Sequence, residues 1–403
     1  MKPEAQLAEE LAQATALAAD SRWGEAADAW ARVHKSAMRL GDLQAAQRGA
    51  NERVEALRRD DRPAQMLSAL EDALGLSEGP TRVALEVQVV AAMADIGQLR
   101  SAARHAGELL ARTTDAGTRL VVADTLAGVL LSRGDLLGLS NLIEQLEAEA
   151  RGGAVLAARY RRAQLERMQG ELDGAAEGFI AVHQALAPHP QAAAAAGGAL
   201  CALADVCLIK GEWDECFAFL DGAAQHFQQG RRRAALFQLE AQRAMAVLSS
   251  GANFLPGLLD EPVEYASSRG LVLLEARARL ARGLARVVGG SDAAWSDLDA
   301  AVLLAETAGA PMLAGRARLE RFHADYGEEG GEPTVEDLRK AVEDLTGDRV
   351  WHSRAMVVLA EAVSPTRVAE AIELSGRAMC RFQAMDLEED EAAAKRVIAS
   401  LRS

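Results

Sequence analysis

Residues 170–179 (GELDGAAEGF) and residues 211–220 (GEWDECFAFL) are one pattern written twice. Each opens on a turn glycine. Each then places an apolar residue two positions on (Leu172, Trp213), a small one at five (Ala175, Cys216) and a bulky one at nine (Phe179, Leu220). The same spacing runs outward from Ser21 (Trp23, Ala26, Trp30), in part from Gly97 (Leu99, Ala102), and from Gly134 (Leu136, Ile143, with Leu139 in the small slot). Seven residues before the turns at Ser21, Gly134, Gly170, Gly211, Gly251 and Gly290 stand Ala14, Ala127, Ala163, Ala204, Ala244 and Gly283. Small residues at fixed places on successive helices let two backbones approach closely, and the bulky ones fill the groove between them.

The breakers are periodic too. One set is Gly41, Gly79, Gly117, Gly153, Pro190, Gly230, Gly270, Gly309, Gly347 and Asp386; the other is Ser21, Asp60-Asp61, Gly97, Gly134, Gly170, Gly211, Gly251, Gly290, the 327–331 stretch and Ser364. Two interleaved turns per repeat describe a helix–turn–helix unit. The spacing predicts helix pairs at about 4–39, 42–76, 81–113, 117–150, 154–187, 191–228, 231–268, 271–307, 311–345 and 350–383, with a capping helix over 387–402. Pro256 and Pro262 fall inside the second helix of the seventh pair, which should be short or irregular. A helix pair cannot bury both its faces alone, so stacked pairs share a continuous core. The expected fold is all-α: an α-solenoid, a right-handed superhelix of about ten antiparallel helix pairs, forming one domain over 1–403.

These segments resemble the tetratricopeptide repeat (TPR) family, whose core is Gly-Asp-Tyr-x-x-Ala…Tyr. The period here is longer than the usual 34 residues and is similar to the extended repeats of bacterial regulators, with Leu40-Gly41-Asp42 between repeats. HEAT-type repeats, of similar length, remain the structural alternative. Extended repeats of this kind often follow a DNA-binding or ATPase module, but here the pattern begins by residue 4, which predicts no such module upstream.

Composition agrees with a helical protein and excludes several classes. More than a fifth of the 403 residues are alanine, and 26% are charged, with 59 acidic against 44 basic residues. An acidic balance argues against nucleic acid as partner. No run of about eighteen uncharged apolar residues occurs, so no membrane insertion is expected. The N-terminus carries no secretory pattern, and four cysteines without a CxxC spacing make no disulfide framework. A bacterial cytoplasmic location is the expectation.

No chemistry-bearing motif emerges. The seven histidines form no HExxH, Cys201 and Cys207 lie too badly spaced on one helix for zinc, and no phosphate loop or nucleophile triad can be drawn. No catalysis, metal or cofactor is predicted.

Charge is uneven. Residues 325–391 hold 17 acids against 7 bases, whereas 151–290 hold 14 against 15. The first helices of the middle pairs carry Arg159, Arg161, Arg162 and Arg167; Arg231, Arg232, Arg233 and Arg243; Arg277, Arg279, Arg282 and Arg286; and Arg316, Arg318 and Arg321. In the TPR family the first helix of each pair lines the concave face, so the resemblance implies a groove edged by arginine, whose planar fork suits carboxylates. The family's concave positions map to Tyr160, Gln164 and Arg167, with Arg161 beside them, then Asp205, Gln238, Gln242 and Arg277. Arg162, Arg243 and Arg282 share one register, and a structural role in ion pairs is expected of them. The family's asparagine–lysine clamp for a C-terminal carboxylate has no counterpart among the three asparagines and five lysines. The function expected is a non-enzymatic scaffold or adaptor that binds another protein or peptide, with an acidic segment suiting the arginines. The alternative is a stand-alone regulatory sensor for a short peptide or small ligand.

Overall fold

The computed structural model describes residues 2–230, 232–325 and 334–402; Arg231 and the expected turn and acidic stretch at 327–333 lie outside them. Among the described residues there are twenty-one α-helices, three short 3₁₀ turns and no strand. The chain is an all-α helical-repeat solenoid.

By its internal contacts the chain forms two compact units, residues 1–129 with 266–272, and residues 130–265 with 273–403. The first unit contains α1 (Pro3–Ala19), α2 (Trp23–Leu40), α3 (Leu43–Arg59), α4 (Pro63–Gly75), α5 (Gly79–Asp95), α6 (Leu99–Arg112) and most of α7 (Ala116–Ser132). Its helices pack in sequence order around a core that includes Ala14, Ala26, Trp30, Val33 and Leu70. Arg269 ties the 266–272 segment to it by donating to the Asp60 carbonyl at 3.0 Å.

The second unit contains α8 (Leu136–Glu149), α9 (Ala154–Gln169), α10 (Leu172–Leu186), α11 (Ala193–Lys210), α12 (Trp213–Gln229), α13 (Arg233–Ser249) and most of α14 (Asp260–Arg269). It continues with α15 (Val272–Val288), α16 (Ala293–Ala308), α17 (Pro311–Asp325), α18 (Val335–Asp344), α19 (Arg349–Val363), α20 (Val368–Ala384) and α21 (Glu388–Arg402).

Left-handed backbone stands at Gly41, Gly97, Gly134, Gly170, Gly211, Gly251, Gly270, Gly290 and Gly309, and at Ser21, Asp61 and Asp386, all of them turn residues of the two periodic sets. The Gly-Asp pairs have a division of labour. Gly41 ends α2 in the left-handed conformation, and the Asp42 carboxylate caps α3 by accepting from Ala45 N at 3.0 Å. Asp135 does the same for α8 through Gly138 N. Some breakers act differently. Gly117 sits inside the first turn of α7, Pro190 opens a 3₁₀ turn, and Gly230 and Ser364 are right-handed. Pro256 starts a 3₁₀ turn and Pro262 lies in the first turn of α14, which is left with only 10 residues.

The small-residue slots are buried: Ala14, Ala26, Ala102, Ala127, Ala163, Ala175, Ala204, Cys216 and Ala244 all lie in the core, with Trp30, Ile143, Phe179 and Leu220 filling the grooves beside them. The closeness is quantitative at Gly178, where a Cβ would sit 2.7 Å from that of Ala163 across the α9–α10 crossing.

The α11 helix departs from one expectation. The span 190–210 is long and apolar enough, by length and composition, to cross a membrane. Its apolar faces are consumed inside the second unit, where α9, α10, α12 and α13 pack around it. A helix apolar all round is what such a central position requires.

The second unit also closes on itself. The α19 helix packs on α9. Around it, Arg349 donates to the Gln169 carbonyl at 3.5 Å, Arg354 donates to the Ile209 carbonyl at 3.0 Å, and Gly347 lies against the Gly134 backbone. Gly170 combines φ of +80° with the Met385 sulfur directly overhead, so any side chain there would be both strained and in collision.

Candidate functional site

Most of the arginines on the first helices are spoken for. Arg243, Arg282 and Arg321 pair with Asp221, Asp260 and Asp299, a separation of 22 residues in each case at a repeat of 39. Arg162 pairs with Glu147 in the same sense. Arg279, Arg282 and Arg286 converge on the Asp297 carboxylate, which is 1% exposed. Arg318 is held by Glu306 and Asp344. These contacts join neighbouring helices, with stems packed and heads paired.

What remains faces a cavity of about 580 Å³ in the second unit. Tyr160, Gln164, Arg167, Asp205, Gln238, Gln242 and Arg277 all line it. Of the eight residues singled out in the sequence, only Arg161 does not; it lies over the Tyr160 ring at 5.6 Å and donates to Gln164 Oε1 at 2.9 Å. The i, i+4, i+7 spacing on α9 puts Tyr160, Gln164 and Arg167 on one face. The α11, α13 and α15 helices contribute Asp205, Gln238 with Gln242, and Arg277; Gln164 and Asp205 share one register, six residues before their turn glycines, and Gln238 and Arg277 another, thirteen before.

Three arginines line the cavity, in three electrostatic conditions. Arg167 donates to Asp205 at 2.6 Å and to Asp348, joining α9 to α11 and to the N-terminus of α19. Burial pushes its pKa down, but the two carboxylates more than reverse this and hold it above the usual arginine range. Arg316 stacks on the Trp351 ring, 3.1 Å from its centroid, with Arg354 also over that ring at 4.5 Å. Glu320 is its carboxylate partner, yet burial keeps its pKa below the ordinary value. Arg277 has no carboxylate partner among the described residues, and burial alone pulls its pKa down. It is deep in the protein while part of its surface stays open to the cavity. An unpaired buried cation is costly and is normally completed by an anion.

The remaining wall is apolar or amide. Tyr160 meets Phe179 edge-on at 5.5 Å, and Met245, Leu280, Met312 and Trp351 supply apolar surface. Gln242 is anchored, its Nε2 donating to the Cys201 carbonyl at 2.8 Å. The Cys201 thiol lines the same space, and burial, then Asp205, push its pKa up to about 12, so it stays protonated and unreactive. Among the described residues no group of three or more His, Cys, Asp or Glu side chains is arranged to hold a metal ion.

Arg316 was among the first-helix arginines of the sequence but not among its mapped concave positions, and Asp348 and Trp351 were not singled out there. Asp348 stands at the junction of the ninth and tenth pairs and Trp351 in the first turn of α19. Asp348 carried a signal of its own: it follows Gly347 and caps α19 through Trp351 N at 3.2 Å.

No family model matches the chain, and no curated protein matches it. Among solved structures it is similar to a Rap protein complexed with Competence and Sporulation Factor, at 14% identity and a TM-score of 0.51, over 80% of this chain and 98% of that one. The apo form of RapI aligns at 11% identity and a TM-score of 0.43, over 79% and 97%. A circular tandem repeat protein with novel repeat topology aligns at 17% identity and a TM-score of 0.16, over 98% and 94%. The first likeness is one of fold.

Proposed function

We propose that this chain is a non-enzymatic, TPR-like regulatory protein of the bacterial cytoplasm. Its central cavity takes an anionic group of a short peptide, or of a small ligand, donated by its partner. The observation that carries this reading is Arg277, a buried guanidinium without a carboxylate, facing a cavity of about 580 Å³. That volume is in the range of pockets that enclose small ligands, about 300–1,000 Å³. A planar guanidinium favours a carboxylate, and the Gln164, Gln238 and Gln242 amides suit peptide groups beside it.

Of the two functions expected from the sequence, the enclosed-ligand reading is the better supported. A scaffold for a folded partner needs a long open groove, whereas here α19 lies against α9 and the Arg167–Asp348 pair closes that side. The solved structure of similar fold is a Rap protein complexed with Competence and Sporulation Factor, which fits a chain of this fold that binds a factor.

The test is a thermal-shift and calorimetric screen of short acidic peptides, each with a free or an amidated C-terminus, against wild type and Arg277→Gln. Peptides that bind wild type should lose roughly tenfold or more in affinity to Arg277→Gln, as expected for a charge-assisted contact. Equal binding by the two proteins would remove Arg277, and with it the anion, from the proposal.

A further inference from the structure

A second cavity, of about 510 Å³, lies in the same unit and shares only Met168 with the first. Arg349, His352 and Arg381 line it, with Gln169, Glu171 and Thr346. Its charges are unbalanced. The Arg381 Nη1 is 2.9 Å from His352 Nδ1. A guanidinium has no acceptor, so His352 must accept, its ring is neutral, and its remaining proton sits on Nε2. Burial, then Arg381 and Arg377, push the His352 pKa down to about 4.

Arg381 has no carboxylate partner among the described residues, and burial, then Arg377 and Arg349, hold its pKa below the ordinary value. Among the described residues the Arg349 guanidinium donates only to the Gln169 carbonyl, at 3.5 Å. Arg377 leans on Glu373, an exposed pair at 3.7 Å. Glu171 is the single carboxylate lining the cavity, and it is exposed. In a chain with 59 acids to 44 bases, where many arginines sit on carboxylates, mutually repelling guanidiniums around one space call for an anion.

We infer that this second cavity binds a phosphate dianion, free or carried by a small phosphomonoester, between the Arg349 and Arg381 guanidiniums. The neutral His352 supplies a further N–H donor. Two separate forks and an imidazole N–H present more donors than one carboxylate can accept, whereas a phosphate group has three terminal oxygens for them. The site is independent of the first cavity and of the ligand proposed there.

The test is calorimetric titration of the full chain with inorganic phosphate and, separately, with glycerol 2-phosphate, at constant ionic strength. Both wild-type titrations should saturate, and Arg381→Gln and Arg349→Gln should each weaken binding about tenfold or more. Tighter binding of the ester identifies a phosphorylated small molecule as the source; equal or tighter binding of phosphate identifies the free ion. Arg349 is exposed and its one tie is a long 3.5 Å bond to a carbonyl, so its variant keeps the test open should Arg381→Gln lose its circular-dichroism signal. The inference is overturned if neither probe gives saturable binding to wild type, or if folded Arg349→Gln binds as wild type does. Loss of phosphate binding in Arg277→Gln with retention in Arg349→Gln would put the anion in the first cavity and also overturn it.

Discussion

Replacing Arg167 by methionine tests whether the second unit is held shut by its longest-range ion pair. Arg167 and Asp348 are 181 residues apart, and their side chains are 13% and 6% exposed. Methionine keeps most of the packed stem but removes the charge, leaving the Asp348 carboxylate buried with only its capping bond to Trp351 N at 3.2 Å. Breaking a buried pair from one side costs about 3–5 kcal/mol. Asp205 is 36% exposed and regains water, so it adds little, and the lower end of that range, about 3 kcal/mol, applies. At about 1.4 kcal/mol per decade, this corresponds to roughly a hundredfold fall in protection. Hydrogen exchange by mass spectrometry reads it locally, because opening of the α9–α19 contact exposes amides at their ends before the unit unfolds. Asp348→Asn should lower protection at the same amides while sparing the cap. Arg243→Ala breaks a pair whose acid is 65% exposed and should cost under about 1 kcal/mol, with no effect on α19. Protection in α9 and α19 that changes less than threefold in Arg167→Met would refute the claim that this pair holds the closure.

Two further outcomes follow from single residues. His352 titrates at about 4 when folded against an ordinary 6.5, so between those values the unfolded chain holds a proton that the folded chain lacks. Stability therefore falls as pH drops through that window, by about 1–2 kcal/mol once solvent screening of this half-exposed ring is counted. His352→Gln keeps an acceptor for Arg381 and should flatten that part of the urea-midpoint profile; an unchanged slope would show that the ring is not held neutral. Gly198 is helical and lines the first cavity, where a Cβ would meet only the Tyr160 hydroxyl at 3.8 Å. Gly198→Ala should stabilise the second unit by about 0.5–1 kcal/mol, while Gly178→Ala, with 2.7 Å to the Ala163 Cβ, should destabilise it. Urea unfolding of the two variants checks both signs, and shifts in the same direction would contradict the packing described.

Much of the fold was legible because its determinants are local and recur. A left-handed turn residue, a small residue where helices cross and a bulky one in the next groove are chosen by neighbours within a dozen positions. The seven cavity-lining residues shared that property in part, since all stand on the first helices of their pairs and two registers recur among them, Gln164 with Asp205 and Gln238 with Arg277. The ladder Asp221–Arg243, Asp260–Arg282 and Asp299–Arg321 was also visible in principle, as a fixed separation repeated every 39 residues. The closure was not legible. Nothing near Arg167 marks Asp348 as its partner, and nothing near Gly170 announces Met385, because those meetings depend on curvature accumulated over many repeats. The apolarity of α11 had no unique reading either: only the helices around it distinguish a core position from a membrane span.

The distance between Arg167 and its partner also sets a clock during synthesis. At about 5–20 residues per second, a ribosome needs roughly 9–36 s to make the 181 residues from Arg167 to Asp348. From residue 210 onward in that interval the nascent second unit has α11, the one helix with membrane-like composition among the described residues, and lacks the C-terminal helices that complete its core. Asp205 arrives only 38 residues after Arg167 and can hold it in the meantime. The neighbours of α11 are all made by residue 249, so from there until residue 348 the half-made unit has its central apolar helix packed but not yet the C-terminal cover of its core.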